Sequence, residues 1–250
     1  MSGTERSGVV GMSKDFARVL ALGDDALIAA QRLAEWCSRA PEMEEDIALA
    51  NIALDQLGAA RLFLTYAGEL EGRGRDEDDL AYLRDDGEFR NALLVELDNG
   101  DFAVTIGKLL FLAIYQRLAY QRLSAGPDAR LAGIAAKARK ESAYHAEHAA
   151  LWTVRLGDGT DESHRRMQAA VDALWPYTHE LFEGDVDGNL VALREPWLAE
   201  ITAVLDEATL TRPADGWAPS GGRRGVHTEE LSKLLAEMQV LHRAHPGATW

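Results

Sequence analysis

Apolar residues recur at helical spacing through most of the 250-residue chain, and no stretch alternates as a half-buried strand would. Leu27, Ala30, Ala34 and Cys37 define a first helix over about 24–39, which Asp24 and Asp25 can cap and Pro41 ends. Glu44, Glu45 and Asp46 then open a second, their negative charge at the favourable end of the helix dipole. Its apolar stripe, Ile47, Ala50, Leu54, Leu57 and Leu64, runs to about Gly68. The short break between the two predicts antiparallel packing. Residues 69–86, charged and glycine-containing, read as a surface connection with a short helix near Leu80–Leu83. Phe89–Leu97 reads as another short helical piece.

Asp101 precedes a run, 102–123, that is apolar almost all round (Val104, Ile106, Leu109, Leu110, Phe111, Leu112, Ile114, Leu118). Such a helix belongs in the centre of a bundle. Gly126 and Pro127 separate it from a fourth long helix over about 129–156, which Gly157-Asp158-Gly159 ends. Thr160 caps a helix through Phe182, another covers about 190–208, and Thr228 opens a last one that Pro246 stops near Ala244. Residues 211–226, rich in glycine and proline, are a loop. The predicted fold is all-α, a four-helix bundle with one long crossover. Its core helices are 24–39, 44–68, 102–123 and 129–156, in a single domain over 24–250 that includes a C-terminal helical extension, 160–250. Residues 1–23 form a tail, disordered at its start.

Composition narrows the function classes. The formal charge of −15 argues against nucleic acid or an anionic membrane surface as partner. No uninterrupted apolar run approaches the ~18 residues of a membrane span, and Met1–Lys14 lacks the apolar core of a signal peptide. Cys37, the only cysteine, leaves no disulfide framework or cysteine-based zinc site and fits a reducing cytoplasm.

The stretch that invites chemistry is Glu141, His145 and His148, spaced i, i+4, i+7 so that all three project along one stripe of the fourth helix. A carboxylate-bridged di-iron bundle needs one Glu from each of two helices and Glu-x-x-His from each of the other two. No Glu in this sequence has His three residues on. Tyr144 follows Glu141 at that spacing, Gly58 follows Asp55, and the third helix carries no carboxylate. Glu35 on the first helix completes a set of degenerate remnants: Glu35, Asp55, Glu141, His145 and His148. Asp161-x-x-His164 reads as a solvated helix start. No catalytic residue and no metal set is assigned.

Lys108, alone in so apolar a helix, must reach solvent or a counter-charge. The expectation is that it is buried and pairs with Asp55 or Glu141, a charge standing where a metal pair would be. Facing a gap or an interface is the equally open alternative. Arg223 and Arg224, in Gly221-Gly222-Arg223-Arg224-Gly225, offer an anion or partner contact on a surface loop without the pattern of a phosphate-binding loop. Trp175, Trp197 and Trp217 are candidates for interface anchors, with core packing the commoner fate.

Several long blocks carry a resemblance: QRLAEWCSRAPEMEEDIALANIALDQLGAARLFLTYAGE from Gln31, RDEDDLAYLRD from Arg75, NGDFAVTI from Asn99, YHAEHAALWTVRLGDGT from Tyr144 with ESHRRMQ after it, and TLTRPADGW with GGRRGVHTEEL. Together they resemble the PaaC family, the non-catalytic ferritin-like subunits of ring 1,2-phenylacetyl-CoA epoxidases, over nearly all of 24–250. The resemblance implies a ferritin-like fold and a structural role in aerobic phenylacetate degradation, with no catalytic residue and no cofactor in this chain. It places the di-iron centre in the catalytic subunit PaaA, with PaaB as assembly subunit. The flavin and iron–sulfur reductase PaaE draws electrons from NADPH, and oxygen is the co-substrate. A homodimer of the isolated chain is also expected. The alternative is a ferritin-like metalloenzyme with its own degenerate iron site.

Overall fold

A computed structural model of the chain describes residues 13–183 and 190–248; the expected tail at Met1–Lys14 falls almost wholly outside them. Among those residues there are nine α-helices and no strand. Two helical hairpins form the bundle. The first joins α1 (Lys14–Ala34) to α2 (Met43–Glu71), and the second joins α5 (Phe102–Leu123) to α6 (Ala129–Gly157). These are the two most extensive helix pairs, and α2 also meets α6. The crossover between hairpins carries α3 (Glu77–Tyr82) and α4 (Leu93–Glu96). Then come α7 (Asp161–Leu174), α8 (Arg194–Glu207) and α9 (Glu229–Ala244). One long crossover between two hairpins is the ferritin-like arrangement.

Local chemistry sets most boundaries. Asp101 accepts from the Val104 amide at 3.1 Å, Asp128 from those of Arg130 and Leu131, both at 3.0 Å, and Thr160 from that of Ser163 at 3.1 Å. The helix expected to run from Thr160 through Phe182 instead tightens after Leu174 into a 3-10 helix, Trp175–Phe182, because Pro176 has no amide to continue the α ladder. Its tryptophan is core: Trp175 and Trp197, each 2% exposed, pack with Phe111 at ring distances of 5.8–5.9 Å. Trp217 is 81% exposed. This aromatic cluster seats the C-terminal extension on α5.

Three expectations about the first hairpin are corrected. The first helix begins at Lys14, capped by Ser13, and ends at Ala34, so Ala34 and Cys37 are exposed rather than part of its apolar face. Of the stripe chosen on α2 only Leu64 faces the core; the rest points outward. Ile47 is 57% and Leu54 65% exposed, whereas the buried face is Leu49, Ile52, Gln56, Ala59, Phe63 and Leu64. α2 is apolar on more than one side, so helical spacing could not choose the inner one.

Asp24 and Asp25 are the third correction, since neither caps anything. They lie in mid-helix, 0% and 2% exposed. Arg84 of the crossover reaches Asp24 with Nη1 at 3.0 Å and Nη2 at 2.5 Å and lies over the Phe89 ring. Arg223 reaches Asp25 through Nη1 at 2.9 Å and Nη2 at 2.7 Å. The amides of Arg90 and Ala92 donate to the same two carboxylates, both at 2.8 Å. An isolated buried carboxylate costs several kcal/mol, on the order of its desolvation, so mid-helix aspartates exist only because these donors arrive from elsewhere in the chain.

Two more buried acids extend the network. Glu180 accepts from the amides of Leu93 and Gly221, both at 2.7 Å. Glu96 accepts from Asn91 at 2.8 Å, His227 at 2.7 Å and the Thr228 amide at 2.7 Å. Burial works against charge on His227, but the hydrogen bond and charge of Glu96, with the bond to the Phe89 carbonyl, together outweigh it and raise the imidazole pKa. Loop 211–226 is thereby pinned to the crossover. Gly222 fits against the Asn91 carbonyl where a Cβ would clash, and Gly225 turns at φ +79°.

Asp24→Ala should therefore leave Arg84 buried and unpaired, lowering stability by about 3–5 kcal/mol in urea denaturation. Asp24→Ala with Arg84→Met should recover part of that loss. A single-variant loss below about 1 kcal/mol would put the pair in the class of surface ion pairs and contradict its structural role.

Candidate functional site

The stripe on α6 meets α2. His145, 1% exposed, places Nε2 3.0 Å from Asp55 Oδ2, and His148 Nε2 lies 3.2 Å from Glu45 Oε2. The second pair is close without being aligned as a hydrogen bond. Glu141 turns along its own helix, accepting from Lys137 at 2.6 Å, while its Oε2 and His145 Nδ1 are buried without hydrogen-bond partners. Burial lowers the His145 pKa, against the opposing pull of Asp55. Sequence reasoning named Asp55 and the two histidines but missed Glu45, whose signal was present: it lies in the acidic first turn of α2.

Of the five expected remnants, the structure brings Asp55 to His145 on the α2–α6 seam. Glu35 lies elsewhere, accepting from Arg32 at 2.8 Å and Asn99 at 3.0 Å. α5 contributes no carboxylate; its buried polar side chains are Thr105, Lys108 and Gln116. Gln116 exchanges two amide hydrogen bonds with Gln56 of α2, at 2.7 and 3.0 Å, closing the centre of the bundle with neutral groups. Among the described residues no three His, Cys, Asp or Glu side chains gather as a metal-binding group. The donor set does not fit a carboxylate-bridged pair of irons, which needs four carboxylates converging from four helices.

Lys108 is buried as expected, but its predicted partners are wrong. Nζ donates to the Leu97 carbonyl at 2.6 Å, the Asp98 carbonyl at 3.1 Å and Asn99 Oδ1 at 2.9 Å. It therefore faces the end of the crossover, not Asp55 or Glu141. The three acceptors explain how a lysine survives in this helix: each of its donors is used and the 97–99 backbone is held against α5. Burial, with Arg32 beside it, brings its pKa down to about 7.

Arg223 is corrected as well. It is held by Asp25 and by the Arg90 carbonyl at 2.9 Å, so its charge is spent inside the protein. Arg224 stays largely exposed, 3.8 Å from Glu183 and bonded to Ser220 at 3.3 Å. His164 bonds the Gly157 carbonyl at 2.7 Å at the start of α7, as a helix-start residue would.

With this geometry in hand, comparison with known proteins gives two matches. The sequence matches the family described as phenylacetic acid catabolic protein over residues 4–250. It is also similar to a 1,2-phenylacetyl-CoA epoxidase subunit of Escherichia coli (strain K12). Identity is 47% over 249 residues, covering 96% of this chain and 100% of the relative.

The lysine gives a pH signature. The unfolded chain keeps the Lys108 proton up to the ordinary lysine value, whereas the folded chain sheds it near 7. Between the two the unfolded state binds more protons, so this group makes stability rise with pH and loses that contribution as pH falls towards 7. Lys108→Met has no proton to lose. Urea denaturation should show the balance between the two proteins shifting towards wild type from pH 7 to pH 9; an unchanged difference would refute the depressed pKa.

Proposed function

This chain belongs to the phenylacetic acid catabolic protein family, and from that premise we propose that it is the structural, metal-free subunit of a 1,2-phenylacetyl-CoA epoxidase. In this reading it works in the cytoplasm during aerobic phenylacetate degradation. Its partners are the di-iron catalytic subunit PaaA, PaaB and the flavin and iron–sulfur reductase PaaE. This chain holds no cofactor of its own and serves as the packing partner that keeps the catalytic subunit in shape.

The observation that carries the reading is the outward face of α2. Met43, Ile47 and Leu54 are 76%, 57% and 65% exposed and fall along one helical stripe, and α6 adds Tyr144 and Leu151 at 59% and 65%. The most apolar stretch of α5 is 78% buried, but that of α2 only 44%. α5 has used its apolar surface in the core; α2 has apolar surface left over. Covering each such aliphatic side chain is worth roughly 1.5–3 kcal/mol before the costs of association, enough in sum to hold a helical partner. The disposition of the polar groups also supports it, because Glu45, Asp55 and Glu141 already face histidine or lysine of this chain. The same face would serve a homodimer of the isolated chain.

Ile47→Glu with Leu54→Glu should leave a folded, soluble chain that no longer co-purifies with the catalytic subunit. Retained co-elution on size exclusion would exclude this face. The alternative, an enzyme with its own iron, is read by metal analysis of the purified chain. Stoichiometric iron that disappears on Glu141→Ala plus His145→Ala would overturn the metal-free reading.

A further inference from the structure

His227 stands between the glycine-rich loop and α9, two residues before the helix begins. Its side chain is 3% exposed, and both ring nitrogens face oxygen. Nδ1 lies 2.7 Å from Glu96 Oε2 and Nε2 lies 3.1 Å from the Phe89 carbonyl. A neutral imidazole has one N–H and one lone pair, so it can donate to only one of these acceptors. The imidazolium donates to both. Neither acceptor is free to turn away. Glu96 is fully buried and also held by Asn91 and the Thr228 amide, and the Phe89 carbonyl also accepts from Arg90 Nη1 at 2.6 Å. The geometry therefore selects the charged ring.

Charges reach the ring from several elements. α4 supplies Glu96, and α1 supplies Asp24, whose charge also favours the protonated ring although Arg84 pairs with it. Arg32 of α1 donates to the Glu96 carbonyl and to Glu35. From the crossover come Arg90 and Asp86. The Asp86 carboxyl is lowered chiefly by the Ser232 hydroxyl and in small part by the His227 charge. On the ring's own side Arg223 is held by Asp25, and Lys233 by Glu229 and Glu230. Of the cations only Arg90 lacks an acid in contact, and Glu96 is the acid hydrogen-bonded to the ring.

We propose that His227 is a proton-controlled latch: as an imidazolium it clamps the junction of loop 211–226 and α9 to the crossover, and loss of its proton in alkaline solution releases that junction. The folded state binds this proton more tightly than the unfolded chain does. The clamp is therefore complete below the ordinary histidine value and is lost as pH rises through the folded one. Once the proton has gone, a lone pair meets a buried oxygen where a hydrogen bond stood. The Arg223–Asp25 and Gly221–Glu180 contacts do not depend on the ring, so opening is confined to the stretch from Gly225 to Glu230. The latch belongs to this chain's own fold and stands whether or not the chain serves as a subunit.

Histidine proton–nitrogen correlation spectra of the full chain read the ring directly. The His227 signal, identified by its loss in His227→Gln, should show both nitrogens protonated at neutral pH, and Glu96→Gln should move its titration to lower pH. Trypsin cleavage after the exposed Arg224 reads the release. The wild-type rate divided by that of His227→Gln should rise several-fold between pH 7 and pH 9. Taking the ratio cancels the protease's own pH dependence and the contribution of Lys108, which has the opposite sign. A neutral ring at pH 7, a titration unmoved by Glu96→Gln, or a flat ratio overturns the proposal. Should either variant fail to fold, the wild-type ring spectrum, assigned through the backbone, decides: two protonated nitrogens support the latch and a bare one overturns it.

Discussion

Two aspartates stand side by side in the middle of α1, and folding must bring an arginine to each. The arginines come from distant parts of the chain, Arg84 on the crossover and Arg223 in the C-terminal loop. A carboxylate buried without its partner costs more than most single contacts return, so α1 cannot settle in its final place until both segments have docked. The carboxylates also accept amides of the crossover, which satisfies backbone groups that would otherwise be orphaned in an irregular stretch. The first hairpin, the crossover and the loop before α9 therefore form one cooperative unit. Glu96 and Glu180 extend the same logic to α9 and to the 3-10 helix after α7.

The interior between α2, α5 and α6 follows a different rule. There polar groups pair across helices, carboxylate with imidazole at His145 and amide with amide at Gln56 and Gln116, although Glu141 Oε2 and His145 Nδ1 stay without hydrogen-bond partners. Each pairing uses up groups that a metal would have to recruit. Lys108, which looked from its position like a stand-in for lost metal charge, instead fastens the end of the crossover to α5.

Much of this was legible in the chain. The long helices, the crossover, the buried α5 and the incomplete ligand set all follow from spacing and from the absence of Glu-x-x-His. What was hidden shares a cause: local rules were read where tertiary partners decide. Asp24-Asp25 has the local look of a helix cap, and only Arg84 and Arg223, 60 and 198 residues away, allow it to sit in mid-helix. Arg223 in a glycine-rich loop looked free for the same reason. On α2 the difficulty was different, because two faces are apolar and periodicity alone cannot say which one meets α1. Glu45 was hidden among three consecutive acids, of which only the one facing His148 matters to the seam.

Buried ion pairs seldom add net stability over well-packed apolar groups, but they tolerate little displacement of either partner. Their concentration in this protein is therefore informative. Asp24, Asp25, Glu96 and Glu180 hold one flank, α1 with the crossover and the C-terminal loop, in a fixed geometry. α2 packs on α1, so its outward stripe is carried on a flank whose shape is specified by charge, while the stripe itself is uncommitted and apolar. The partner-holding role proposed above would need both properties, since apolar area supplies the adhesion and a rigid backing sets where it is applied. The four carboxylates keep α1, the crossover and the C-terminal loop in register behind α2.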